Sequence, residues 1–157
     1  MKSFRDVSGL HKELDELFFR HQVSLLDYNF RTAFERLCEY ESALLAHMRD
    51  EEEVLLPIYA ERATPERGGR ADFFLLEHEK MRRLLAHFRE QLPRLYELPE
   101  PSRALIKLLD QETTYKHLVE HHDEREERHL YPALEQFTTD AEREDLLARL
   151  FDLKPEG

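Results

Sequence analysis

Residues 47–57 read HMRDEEEVLLP and residues 122–132 read HDEREERHLYP. Each stretch opens with a histidine, follows it with a glutamate four residues on and a proline ten residues on, and the two copies lie 75 residues apart. Over positions 40–57 this offset pairs Tyr40 with Tyr115, His47 with His122, Glu51 with Glu126, Glu52 with Glu127, Leu55 with Leu130 and Pro57 with Pro132, six identities in eighteen positions. A second offset, of 67, pairs His11 with His78, Leu14 with Met81, Leu17 with Leu84 and Phe18 with Leu85. The chain therefore reads as two helical hairpins related by a pseudo-two-fold axis.

Around these motifs the apolar residues recur at helical rather than strand spacing, and the breaks fall where Pro, Gly, Asn and Asp gather. The spacing predicts a first helix from about Val7 to Leu25, ended by LLDYN, and a second from Asn29 or Phe30 to about Arg62, ended by ATPERGG. A third starts near Ala71 or Asp72 and is disturbed at Pro93 and stopped by ELPEPS; a fourth runs from Ser102 to about Gln136. Thr139-Asp140-Ala141-Glu142 has the form of a capping box and opens a short fifth helix expected to dock as a lid. Short links between long amphipathic helices force neighbours to be antiparallel. The fold class expected is all-α, an up-down-up-down antiparallel four-helix bundle with a short C-terminal fifth helix. It is read as a single domain over residues 1–157, with the bundle over about 5–137 and the capping helix over about 140–152. Pro57 and Pro132 fall inside helical patterns, where a missing N–H and a ring clash predict kinks rather than ends.

Composition narrows the function classes. The chain of 157 residues carries 34 acidic against 23 basic residues, a formal charge of −11, and has no Lys/Arg block fit for phosphates or anionic lipid. Nucleic acid and membrane surfaces are not expected partners. No apolar run approaches the roughly 18 to 20 residues of a membrane span, the N-terminus lacks the apolar core of a signal peptide, and Cys38 is the sole cysteine. The expected location is cytoplasmic. No nucleophile triad, phosphate loop or nucleotide fingerprint appears.

The chemistry sits in the repeat. Residues four apart on a helix are separated by about 40° around the axis and about 6 Å along it. His47 and Glu51 thus share a face, as do His122 and Glu126, and that face is the apolar stripe of each helix. His11 and His78 stand at core spacing on the other two helices. Four buried imidazoles and two buried carboxylates without partners would cost several kcal/mol. A pair of metal ions would offset that cost, with two neutral imidazoles for each ion and two carboxylates able to bridge. Such mixed donors suit iron best, with manganese or zinc as alternatives, whereas calcium and magnesium want oxygen ligands.

These residues resemble the hemerythrin family in its bacterial HHE cation-binding branch: His11, HMRDEEEVLLP, EHEKMRR at 77–83 and HDEREERHLYP, over roughly residues 5–137. The resemblance implies His11, His47, Glu51, His78, His122 and Glu126 as metal ligands, with Glu51 and Glu126 bridging two iron ions in an Fe–O–Fe type centre. Oxygen-carrying hemerythrins place a further histidine four residues after the one in the third helix. Here that position is Arg82, and the matching position after His11 is Asp15. Four protein donors per ion leave room for an exogenous ligand, and Asp123 or Glu79 can supply an additional acidic one. The function implied is binding or sensing of dioxygen, a related small ligand, iron or redox state. The alternatives are a di-iron oxidase or peroxidase-like enzyme and a bundle whose zinc is merely structural. Ferritin-like oxidases repeat Glu-x-x-His, a form found here only at Glu126–His129.

Plainer readings apply to the remaining residues. One histidine on an apolar face is usually a hydrogen-bonded core residue; only the repeat, in register on both hairpins, favours a metal. Outside Glu51 and Glu126 the acidic runs read as solvated faces, with Glu52 and Glu127 available to brace ligand histidines. Tyr40 and Tyr115 either pack in the core or aim a hydroxyl at a bound ligand. His117 and His121 face away from His122, His21, His87 and His129 have no repeat partner, and all five are expected at the surface. Cys38 is expected to pack against a neighbouring helix.

Overall fold

The computed structural model describes residues 3–64 and 69–150. A 3-10 turn, Phe4–Val7, leads into α1, Ser8–Leu26. Tyr28 turns the chain with a left-handed φ of 57°, and the Asn29 side chain accepts from the Thr32 amide to start α2, Phe30–Asp50. The second long helix continues through a π-turn, Glu51–Leu55, into α3, Leu56–Arg62. After α4, Ala71–Gln91, and the 3-10 turn Leu92–Glu97, the fourth long helix repeats the second: α5, Ser102–Arg125, a π-turn, Glu126–Leu130, and α6, Tyr131–Phe137. Among the described residues there is no strand, and no helix is long and apolar enough to cross a membrane.

α1 packs on α2, α2 on α4, α4 on α5 and α5 on α1, which closes the expected four-helix bundle. The prolines do not end the helices, but each disturbance takes a specific form. The Leu56 amide donates to the Glu51 carbonyl and the Tyr131 amide to the Glu126 carbonyl, i→i+5 bonds immediately before Pro57 and Pro132. A proline ring collides with the carbonyl four residues back in an α-helix; widening the preceding turn relieves this crowding. The expected kinks are therefore π-turns, and each begins at a motif glutamate.

α7, Asp140–Ala148, is the expected fifth helix. The Thr139 and Glu142 capping box is formed, and Arg62 holds Glu142 at 2.6 Å. The part of that helix expected at 151–152 lies outside the described residues, as do 65–68 of the loop that ends the second helix. α7 buries Leu146 and Leu147 against Phe4, Val7, Leu55, Phe74, Leu130 and Leu134. A larger apolar cluster fills the bundle from Leu14, Leu44 and Met81 to Leu95 and Leu105. Each large side chain in these layers contributes roughly 1.5–3 kcal/mol by burial. The polar motif residues lie between the two layers.

Candidate metal centre

His11 comes from α1, His78 from α4, His47 from α2 and His122 from α5, while Glu51 and Glu126 open the two π-turns. All six are buried, and Glu51, His78 and Glu126 are 0% exposed. The α1–α2 imidazoles stand 5.2 Å apart between ring centroids, and the α4–α5 imidazoles 4.7 Å apart. Glu51 lies between the pairs. Its Oε1 is 2.5 Å from His47 Nε2, and its Oε2 is 3.1 Å from His78 Nε2 and 3.8 Å from His122 Nε2. Glu126 Oε1 is 3.3 Å from His11 Nε2 and 3.2 Å from His122 Nε2.

These separations have a common geometric meaning. Bonds of about 2.1 Å from one first-row ion place neighbouring donors at right angles about 3 Å apart. Within His11, His47, Glu51 and Glu126, and again within Glu51, His78 and His122, the ligating atoms all lie within 4.8 Å of one another. His47 Nε2, Glu51 Oε1 and Glu126 Oε1 are buried and have no aligned hydrogen-bond partner. His78 Nε2 and His122 Nε2 face each other at 3.1 Å. Buried polar atoms are almost always satisfied, and lone pairs aimed at shared points are satisfied by cations. The donor set therefore fits two metal ions, one per imidazole pair, with Glu51 offering one oxygen to each.

The electrostatics agree. Burial lowers the affinity of His11 for a proton, but the hydrogen bond and charge of Glu126, with the charges of Asp123 and Glu51, outweigh it and raise the pKa to about 9. His47 and His122 are likewise raised against the effect of burial, by Glu51 and by Glu126 respectively. Burial raises the Glu51 carboxyl, yet the facing His47 and its imidazole neighbours leave it well below the usual carboxylate range. The two carboxylates thus favour positive charge on His11, His47 and His122.

Two acid–arginine pairs brace the α4–α5 side. Glu77 Oε1 accepts from His122 Nδ1 at 3.1 Å and from Arg125 Nε at 3.1 Å. Glu52 Oε1 is 3.4 Å from His78 Nδ1, and Glu52 holds Arg82 at 2.7 Å. Arg82 thus points away from the centre. Of the braces expected, Glu52 is in place, but Glu127 is exposed and Glu77, adjacent to His78, takes the equivalent role. Glu79 is also exposed and does not approach the centre.

The surroundings are less symmetric than the ligands. The Tyr131 hydroxyl lies 3.3 Å from His11 Nε2 and donates to Glu126 Oε2 at 3.4 Å, and Asp123 Oδ1 is 3.6 Å from His11 Nε2. Burial pushes Asp123 up to about 7, with the Glu126 charge adding to it despite His11. Tyr131 follows Glu126 by five residues, the period of the π-turn, so it shares a face with Glu126 only because the turn is widened. Its repeat counterpart is Leu56. Tyr40 and Tyr115 bond each other, O to O at 2.6 Å, one layer away from the centre.

The expectation that His21 is at the surface is wrong. His21 is fully buried, with Nδ1 donating to the Ala33 carbonyl at 2.7 Å and Nε2 meeting Glu112 Oε2 at 2.7 Å, and Glu112 also accepts from Gln22. Position 21 lies three residues after Phe18 and four before Leu25, both buried. Its stripe, rather than its lack of a repeat partner, decides its burial. His117 and His121 are exposed as expected, while His87 and His129 are half-buried, His87 bonding Gln111 and His129 standing against Gly69. The Glu126–His129 form therefore does not add a fourth-helix histidine to the cluster. Cys38 is half-buried.

A family model described as hemerythrin HHE cation binding domain matches residues 4–134. No curated protein and no solved structure matches the chain.

Proposed function

The chain belongs to the hemerythrin HHE cation-binding domain family, and from that premise we propose that its buried cluster holds two iron ions and binds or senses dioxygen or a related small ligand. The carrying observation is the sharing of Glu51 between two imidazole pairs, with His47 Nε2, Glu51 Oε1 and Glu126 Oε1 buried and without an aligned hydrogen-bond partner. His11 and His47 would hold one ion, His78 and His122 the other, and Glu51 and Glu126 would bridge. Imidazole with carboxylate selects iron over calcium or magnesium. Bound iron supplies an open coordination position and a reversible change of oxidation state.

The protein's own side chains prepare this. Glu77 accepts the Nδ1 proton of His122, so the Nε2 lone pair faces the centre. The Glu52 carboxylate, 3.4 Å from His78 Nδ1, sets a negative charge behind that ring. The Tyr131 hydroxyl fixes Glu126 Oε2 and turns Oε1 toward the imidazoles. Apolar layers above and below exclude bulk water, which strengthens each of these charges. The cavity beside the ligands measures about 10 Å³, roughly the room of one water molecule, which suits a small exogenous ligand.

The test is elemental analysis of anaerobically purified protein, with optical spectra before and after air. Two irons per chain and a near-ultraviolet band that grows on exposure to air are expected. Stoichiometric zinc with a silent spectrum would replace this reading with a structural one.

A further inference from the structure

The centre lies between two apolar layers, and the ion pairs Glu52–Arg82 and Glu77–Arg125 stand over its α2–α4 and α4–α5 flanks. The seam between α1 and α5 is different. A surface cleft of about 190 Å³ opens there, lined by Asp15, Phe18, Tyr40, Lys116, Glu120 and Asp123. Directly beneath it is the small cavity of about 10 Å³ lined by His11, His47 and His122. Asp15, Tyr40, Val119 and Asp123 line both, so one wall separates the cleft from the ligands. The other described cavities touch none of the six donors.

Three carboxylates descend this seam. Glu120 is exposed at the mouth, Asp15 stands at the shared wall, and Asp123 is 3.6 Å from His11 Nε2. Neither Asp15 nor Glu120 has an ion pair or side-chain hydrogen bond among the described residues, and Lys116, the one basic residue lining the cleft, is bonded to Gln22 at 3.1 Å. At the bottom, His47 lines the inner cavity in a side chain 5% exposed, its Nε2 beside Glu51 but with no aligned hydrogen-bond partner. An aromatic and acidic cleft that narrows onto a buried imidazole with no aligned hydrogen bond suits a small cation rather than an anion or an extended organic molecule.

We propose that the α1–α5 seam is the route by which divalent metal reaches the centre, with Glu120, Asp15 and Asp123 as successive transit carboxylates. This rests on the metal-binding reading above. It assigns to Asp15, one helical turn after His11, a role in loading rather than in holding the metal. The cleft's three carboxylates outnumber Lys116, and an excess of one sign of charge in a cleft raises local counter-ion concentration and association rate by roughly 10 to 10³ at low salt.

The probe is cobalt(II), whose ligand-field absorption reports binding without a change of oxidation state. Metal-free protein and the variant Asp15→Asn/Glu120→Gln are mixed with cobalt(II) in stopped flow at low and high salt, and the final stoichiometry is measured. The expected result is an unchanged two ions per chain, reached roughly tenfold more slowly by the variant at low salt, the difference shrinking at high salt. Glu35→Gln/Glu144→Gln removes the same charge from exposed positions elsewhere and is expected to load at the wild-type rate. Equal rates for the seam variant at full stoichiometry overturn the route alone. Loss of stoichiometry in the seam variant makes these acids resident ligands and overturns their transit role. A wild-type chain that takes up no cobalt overturns the metal centre itself.

Discussion

Glu77 shows what a single residue contributes behind the ligands. It accepts from His122 Nδ1 and from Arg125, and its carboxyl is lowered because these partners outweigh the cost of partial burial. Removing it leaves His122 free to rotate and to place a proton on Nε2. Glu77→Ala is therefore expected to weaken metal retention about 10- to 100-fold, measured by competition with a chelator, with Glu77→Gln intermediate; retention equal to wild type would mean that packing alone orients the ring. The convergence of the six donors is legible in the sequence because it is written twice. Glu77 is not, since it braces a histidine on another helix and nothing in its own neighbourhood signals that distance. Tyr131 is hidden for a different reason: its approach to Glu126 depends on an i→i+5 turn, and α-helical spacing places it on another face. Glu127 shows the reverse error, a residue matched in the repeat yet turned to solvent.

At the scale of elements, α5 carries Leu105, Leu108, Glu112, Tyr115 and His122 on its buried stripe, which Glu126 continues at the start of the π-turn. Glu112 meets His21 of α1, and the pair ties these helices deep in the larger apolar layer. The two repeat offsets carry Glu112 back to Leu37 and His21 forward to Phe88, both buried and apolar. The same place in the other hairpin is thus filled without charge. Removing one partner strands the other in the core, so His21→Phe or Glu112→Leu alone is expected to cost about 3–5 kcal/mol in urea unfolding. His21→Phe/Glu112→Leu together, copying the apolar hairpin, is expected to unfold within about 1 kcal/mol of wild type or above it. Single variants as stable as wild type would show that the pair is not desolvated. The helices themselves, their antiparallel order and the capping box before α7 all follow from periodicity and breakers. The π-turns do not, because a proline in a helical pattern specifies a disturbance and only packing on both sides decides that the chain widens rather than bends.

For the molecule as a whole, the centre joins two hairpins that otherwise meet through apolar layers, so its state of charge is felt by the entire bundle. Without metal, His11, His47 and His122 are held opposite Glu51 and Glu126 in an environment that favours their protonated forms. His11 is raised from 6.5 to about 9, and His47 and His122 are raised as well. A histidine raised by folding contributes stability that is complete below its unfolded value of 6.5 and is lost as pH rises through its folded value. Asp123, raised from 3.8 to about 7, acts in the same direction, since its ionised form is disfavoured in the fold. The metal-free bundle is therefore expected to lose melting temperature steadily between pH 6.5 and 9. Metal replaces those protons, because only the neutral imidazole can bind it. Loading at pH 7 is expected to release protons into a weakly buffered solution, to raise the melting temperature, and to flatten its dependence on pH across the same interval. Calorimetry of both forms through that range, with an indicator dye during loading, measures all three. Parallel pH profiles and no proton release would mean that the histidines are already neutral in the metal-free bundle, and that something other than imidazolium holds the two carboxylates together.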